Sequence, residues 1–191
     1  LLGGIEPAAS FMLEALNHGK HVVTANKAAV AANYDKLLAA AEKNNVMIKY
    51  EASVGGGIPI LNPLLTVLRG NEIESIMGIL NGTTNYILTQ MTDFGLDFEA
   101  VLKTAQEKGF AEADPTADVE GIDVANKLSI LMAIAFDKYV KPQEIKTTGI
   151  TGITKQDIEN AKSKGAKIKL VAGAKKLANG ELEYEVGPME I

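Results

Sequence analysis

Residues 3–27 read GGIEPAASFMLEALNHGKHVVTANK. Pro7 stands where a first helical turn tolerates a residue without an N–H, and Phe11, Leu13 and Leu16 follow along the helix. Gly19 marks its end, and the short apolar run HVVT at 21–24 reads as a strand. Outward from this stretch the pattern repeats. NYDKLLAAAEKNN at 33–45 is a second helix and VMIKYE at 46–51 a second strand. Two helix-and-strand units in succession predict the parallel sheet of an α/β fold, whose ligands bind outside the carboxyl ends of its strands.

The alternation stops at ASVGGGIPI, 52–60, where three glycines and a proline interrupt it. A domain change is therefore expected between Glu51 and Asn71, with residues 1–51 in one domain and 52–191 in the next. In the second part, strands are expected at 73–80, 167–177 and 181–186, and helices at 83–91, 98–109, 122–136 and 155–165. Ala178-Asn179-Gly180 between the last two strands is a hairpin signal, with Leu182, Tyr184 and Val186 alternating against Glu181, Glu183 and Glu185. That mixture is α+β.

Composition narrows the function. The 191 residues are 47% hydrophobic, enough for a real core, and carry a formal net charge of −5 with no basic patch to neutralise a phosphate backbone. Nucleic acid is not an expected partner. With no cysteine, disulfides, thiolate metal sites and a cysteine nucleophile are all excluded, as suits a cytoplasmic protein. The longest apolar run, 128–136, is too short to span a membrane. Because the sequence opens on Leu1 in mid-pattern, a piece of a longer protein is expected.

The chemistry concentrates at 112–127, EADPTADVEGIDVANK, which holds five carboxylates and one lysine. Asp123 and Lys127 are four residues apart, about 40° on a helix, and Ile130 and Ile134 continue the same stripe. One reading is a surface ion pair, which contributes only ~0.2 to 0.5 kcal/mol. The other is a functional pair, for which it counts that the stripe is apolar downstream while Asn126 and Ser129 lie on another side; spacing alone leaves both readings open. An EF-hand does not fit, since Pro115 interrupts the alternation of acids and Gly121 comes late. Asp114 with Pro115 forms a turn and Asp118 is placed to cap the coming helix, which leaves Glu112, Glu120 and Asp123 to explain. An amino-acid substrate would explain two of them: Glu112 and Asp123 would hold its ammonium, and Lys127, one turn on, would carry a proton.

The motifs VVTANK, EASVGGGIPI, ILNGTTNYIL, GFAEADPTADVEGIDVANK and IKLVA, in this order, make the sequence similar to homoserine dehydrogenases over nearly its whole length. The resemblance implies an incomplete Rossmann-like portion, then an α+β substrate-binding and dimerisation domain. It implies reduction of L-aspartate 4-semialdehyde to L-homoserine with NADPH or NADH, on the route to threonine, methionine and isoleucine, in a cytoplasmic homodimer. By the same resemblance Lys127 is the proton donor and acceptor, while Glu112, Asp123, Gly82 and Thr83 bind substrate. Thr24, Lys27 and Gly109 would meet the cofactor, and backbone oxygens of Glu51, Val54, Gly56 and Ile58 would hold a monovalent cation, usually sodium. The family's glycine-rich pyrophosphate turn, G-x-G-x-x-G, does not occur in these residues, so the 191 residues alone are expected to be inactive. The rival expectation is a non-catalytic dimerisation or amino-acid-binding module of the same fold.

Overall fold

In the computed structural model, which describes residues 2–191, β1 (Val22–Val23) runs parallel to β2 (Ile48–Lys49), with Val22 opposite Ile48 and Val23 opposite Lys49. The ladder is shorter than the apolar runs that announce it, although Val22 N–H to Met47 O and Thr24 N–H to Lys49 O, both 2.9 Å, flank it. Helix α1 (Ala8–Asn17) buries Ala8, Met12 and Leu16, spaced four apart, together with Ala9, and leaves Phe11 half exposed. Helix α2 (Lys27–Ala32), not expected from the sequence, begins at Asn26, whose side-chain oxygen caps it by accepting Ala29 N–H at 3.0 Å. Tyr34, Leu37, Ala40 and Ala41 form the inner face of α3 (Tyr34–Lys43). A single 3₁₀ turn, Glu51–Ser53, precedes Gly55 and Gly56, whose φ angles of 80° and 59° are ones glycine adopts without strain, and α4 (Leu61–Leu65) follows. By packing, these elements form one unit: the chain up to Glu74, joined by Asn126–Glu144.

The other unit, Ser75–Ala125 with Ile145–Ile191, is built on a four-stranded sheet. Its strands are β3 (Ser75–Gly78), β4 (Lys146–Thr147), β5 (Ile168–Lys176) and β6 (Leu182–Glu190), in the order β3-β5-β6-β4. The expected hairpin is there: β5 and β6 pair antiparallel from Ile168 opposite Glu190 to Lys176 opposite Leu182, and Gly180 takes a positive φ in the turn. The short β4, absent from the sequence reading, adds to β6 in parallel, while β3 lies antiparallel on the far side of β5. Across the sheet lies α5 (Gly82–Phe94), and Lys169 of β5 donates to Asn85 Oδ1 and Thr89 Oγ1 of that helix at 2.7 and 2.6 Å. Burial there pushes the Lys169 ammonium below its ordinary pKa, and the Lys167 charge adds to the effect.

Helix α6 (Phe98–Glu107) packs on α5, and α7 (Thr116–Val119) is a single turn before α8 (Ile122–Ala135). The boundary between the two units falls inside α8, between Ala125 and Asn126. Val124, Ala125, Leu128, Ile130, Leu131 and Met132 are buried, and so is Ser129, whose hydroxyl donates to Val140 O. This helix is enclosed on most sides rather than amphipathic, so the polarity of Ser129 does not mark an outer face. Helix α9 (Lys155–Ser163) opens with a capping box between Thr154 and Asp157. Among the described residues no helix is long and apolar enough to cross a membrane.

Candidate active site

In the second unit the site grows from the first turn of α5. Asn81 is its N-cap, and its side-chain oxygen accepts Thr84 N–H at 2.8 Å and the Thr84 hydroxyl at 3.0 Å. Capping consumes only the oxygen. The amide nitrogen donates to Asp118 Oδ1 at 2.7 Å and to Asp123 Oδ2 at 2.9 Å, so two carboxylates 37 and 42 residues away in sequence meet on one nitrogen. Asn81 and Asp123 are each only 5% exposed, a degree of burial at which an ionised carboxylate needs donors. Asp118 lies within α7, and its carboxylate goes to Asn81, a use different from the capping expected for it.

Gly82 and Thr83 follow as the first residues of α5, Gly82 exposed and Thr83 half-buried. The Thr83 hydroxyl donates to Phe110 O at 2.9 Å, which fastens the turn after α6 to the start of α5. In that turn Gly109 is exposed, takes a φ of 74° and donates its N–H to Gln106 O, as a residue just beyond a helix end does. Next to it, the carbonyls of Glu112 and Ala113 accept from Gln106 Nε2 at 3.1 and 3.2 Å. The backbone of Glu112 is thus pinned while its side chain faces solvent.

The remaining acids have structural uses. Asp114 Oδ1 accepts from the Thr116 hydroxyl and N–H, forming the expected turn, and those donors hold its carboxyl below the usual range. Glu120 Oε1 accepts from the Thr151 hydroxyl at 3.0 Å, and Ile150 N–H bonds to Val119 O at 2.8 Å. The segment around Gly149 therefore lies directly against the acidic loop. A Cβ on Gly149 would stand 2.7 Å from Glu120 Cα and closer still to Val119 O.

In the first unit, Lys127 is half-buried on α8, four residues beyond Asp123. Thr24, past the end of β1, accepts Asn26 N–H on its hydroxyl at 3.1 Å. Lys27 is the first residue of α2, and the Asn26 amide before it donates to Leu2 O and Gly4 O at 2.9 and 2.7 Å. The glycine loop is organised by Glu51. Its carboxylate takes Ile60, Leu61 and Asn62 N–H at 2.8, 3.0 and 2.7 Å and so closes residues 52–59 into a loop. The resemblance implies main-chain oxygens of Glu51, Val54, Gly56 and Ile58, in and beside this loop, as the ligands of a monovalent cation. Val54 is buried and Ile58 72% exposed; Ser53, between the first two, is buried with its hydroxyl unpartnered. No cluster of three or more His, Cys, Asp or Glu side chains suited to a metal occurs among the described residues.

Comparison with known proteins gives these features a context. The family profile "Homoserine dehydrogenase" matches residues 59–191, and "Homoserine dehydrogenase, NAD binding domain" matches residues 2–51. The homoserine dehydrogenase of Synechocystis sp. is 51% identical over 172 residues, 90% of this chain and 40% of that protein. Among solved structures, a homoserine dehydrogenase from Thiobacillus denitrificans superposes with a TM-score of 0.96 at 46% identity, covering 99% of this chain and 44% of that one. A hyperthermophilic archaeal homoserine dehydrogenase in complex with NADPH superposes with a TM-score of 0.84 at 31% identity, covering 100% of this chain and 54% of the other. The chain thus spans about 40% of the length of the Synechocystis relative.

Proposed function

The chain belongs to the homoserine dehydrogenase family, and on that premise we propose that it carries the substrate-binding and proton-transferring residues of an enzyme interconverting L-aspartate 4-semialdehyde and L-homoserine. The observation that supports this best is the buried Asp123 carboxylate, which accepts from the Asn81 amide and is followed one turn later on α8 by Lys127. Asp123 and Glu112 hold the substrate ammonium. The N–H groups of Gly82 and Thr83 at the start of α5 face its carboxylate, where the helix dipole favours negative charge. Lys127 gives a proton to the aldehyde oxygen in reduction and takes it back from the hydroxyl in oxidation, and its positive charge stabilises the oxygen as it becomes anionic.

The nicotinamide cofactor, NADPH or NADH, supplies the hydride to the aldehyde carbon when bound. Thr24, Lys27 and Gly109 are the residues of this chain that would hold it, and main-chain oxygens of Glu51, Val54, Gly56 and Ile58 would hold sodium. Residues 1–51 then serve the cofactor and 52–191 the substrate, in a cytoplasmic homodimer formed through the four-stranded sheet.

Lys127→Ala in a full-length enzyme carrying this chain tests the reading. Turnover in both directions falls by ~10² to 10⁴, while the melting temperature and NADPH affinity stay within error of wild type. A variant within threefold of wild-type turnover in both directions removes Lys127 from the reaction.

A further inference from the structure

Asn81 has two separable jobs. Its side-chain oxygen caps α5, a task that serine or aspartate performs equally well. Its NH₂ group does something neither could do alone, giving one hydrogen to Asp118 and the other to Asp123. Two carboxylates repel one another, and a buried one that lacks donors rotates toward water or takes up a proton. A neutral amide gives each carboxylate a donor and itself adds no charge, whereas a lysine or arginine in the same place would add one. The amide has no spare capacity, since both hydrogens and the oxygen are used.

We propose that Asn81 is a positioning residue for substrate selection: its amide holds the Asp123 carboxylate, with that of Asp118 beside it, aimed so that the site prefers a ligand bearing an ammonium. This rests on the reading above, in which Asp123 meets the substrate ammonium. The selectivity is then set by a residue that touches no part of the substrate's amino group itself.

The test uses a full-length enzyme carrying this chain and two ligands, L-homoserine and 4-hydroxybutyrate, which lacks the amino group. Asn81→Ser keeps a cap acceptor and loses the paired donors. The expected result is a KM for homoserine raised roughly tenfold, the effect of losing a hydrogen bond to a charged group, with kcat lowered less. Inhibition by 4-hydroxybutyrate and the melting temperature should hardly change. Asn81→Ala, which also loses the cap, should show the same loss of preference on top of a lower melting temperature, and it carries the test if the serine variant does not fold. A KM within twofold of wild type, or equal weakening of both ligands, overturns the proposal. Wild-type enzyme without homoserine turnover overturns the underlying reading and the proposal with it, so the two failures are distinguishable.

Discussion

Asp123 and Glu112 carry the same charge in opposite surroundings. Asp123 is 5% exposed and accepts from Asn81, whereas the Glu112 side chain is exposed above a pinned backbone. Asp123→Asn is therefore expected to raise the KM for homoserine by roughly tenfold to a hundredfold and to lower the melting temperature, since a second amide faces the Asn81 donor. For Glu112→Gln the rise is smaller, roughly threefold to tenfold, because water screens an exposed pair, and stability is unchanged. Steady-state kinetics on both variants with thermal melts checks this, and an unchanged KM in both would remove them from the ammonium site. Asp123, Lys127 and Glu112 could be singled out as candidates because their spacing and charge stand out within sixteen residues. Asn81 was not, because an Asn-Gly before a helix reads as an ordinary cap and its second use depends on partners 37 and 42 residues away. Glu120 could be noticed but not explained, as Thr151 is brought to it only by the fold.

At the scale of elements, the acidic loop is held by close backbone approach as much as by hydrogen bonds. Gly149 lies so near Val119 and Glu120 that any side chain forces main chain to move. Gly149→Ala should cost ~1 to 3 kcal/mol, the usual penalty of overpacking, and should raise the KM for homoserine because the loop bearing Asp118 shifts. A denaturant titration and the KM measured together check this, and a variant with wild-type values in both would show that the loop yields freely. The long helices and the β5–β6 hairpin were legible, since period and turn chemistry are local signals. The short α2, α4, α7 and β4 were not, for elements of two to six residues hold too few repeats to show a period and exist through their tertiary neighbours.

Across the whole molecule, the sequence shows a break in composition near the glycine loop, while packing places Asn126–Glu144 with the first unit. Nothing in α8 announces that crossing, because the helix runs through the boundary between Ala125 and Asn126 with no glycine or proline to break it. The returning stretch brings Tyr139, whose ring stacks on Tyr34 at 5.5 Å and whose hydroxyl donates to Ala31 O at 2.7 Å; Tyr34 and Tyr50 meet through their hydroxyls at 3.1 Å. Burial raises the pKa of all three phenols above their ordinary value. Because the folded values lie above the unfolded ~10, this contribution is complete below about pH 10 and is lost as pH rises through the folded values. Denaturation midpoints should fall between pH 9 and about 11, and fall less steeply in Tyr34→Phe; equal slopes would show that the phenols do not govern alkaline stability. The order of strands in the sheet has a further consequence, for synthesis on the ribosome. Among the described residues β3 pairs with β5 and β4 with β6, so both outer strands are made before either of these partners. Until residues 168–190 emerge, β3 and β4 lack the strands they pair with here, and the β5–β6 hairpin is what joins them into one sheet.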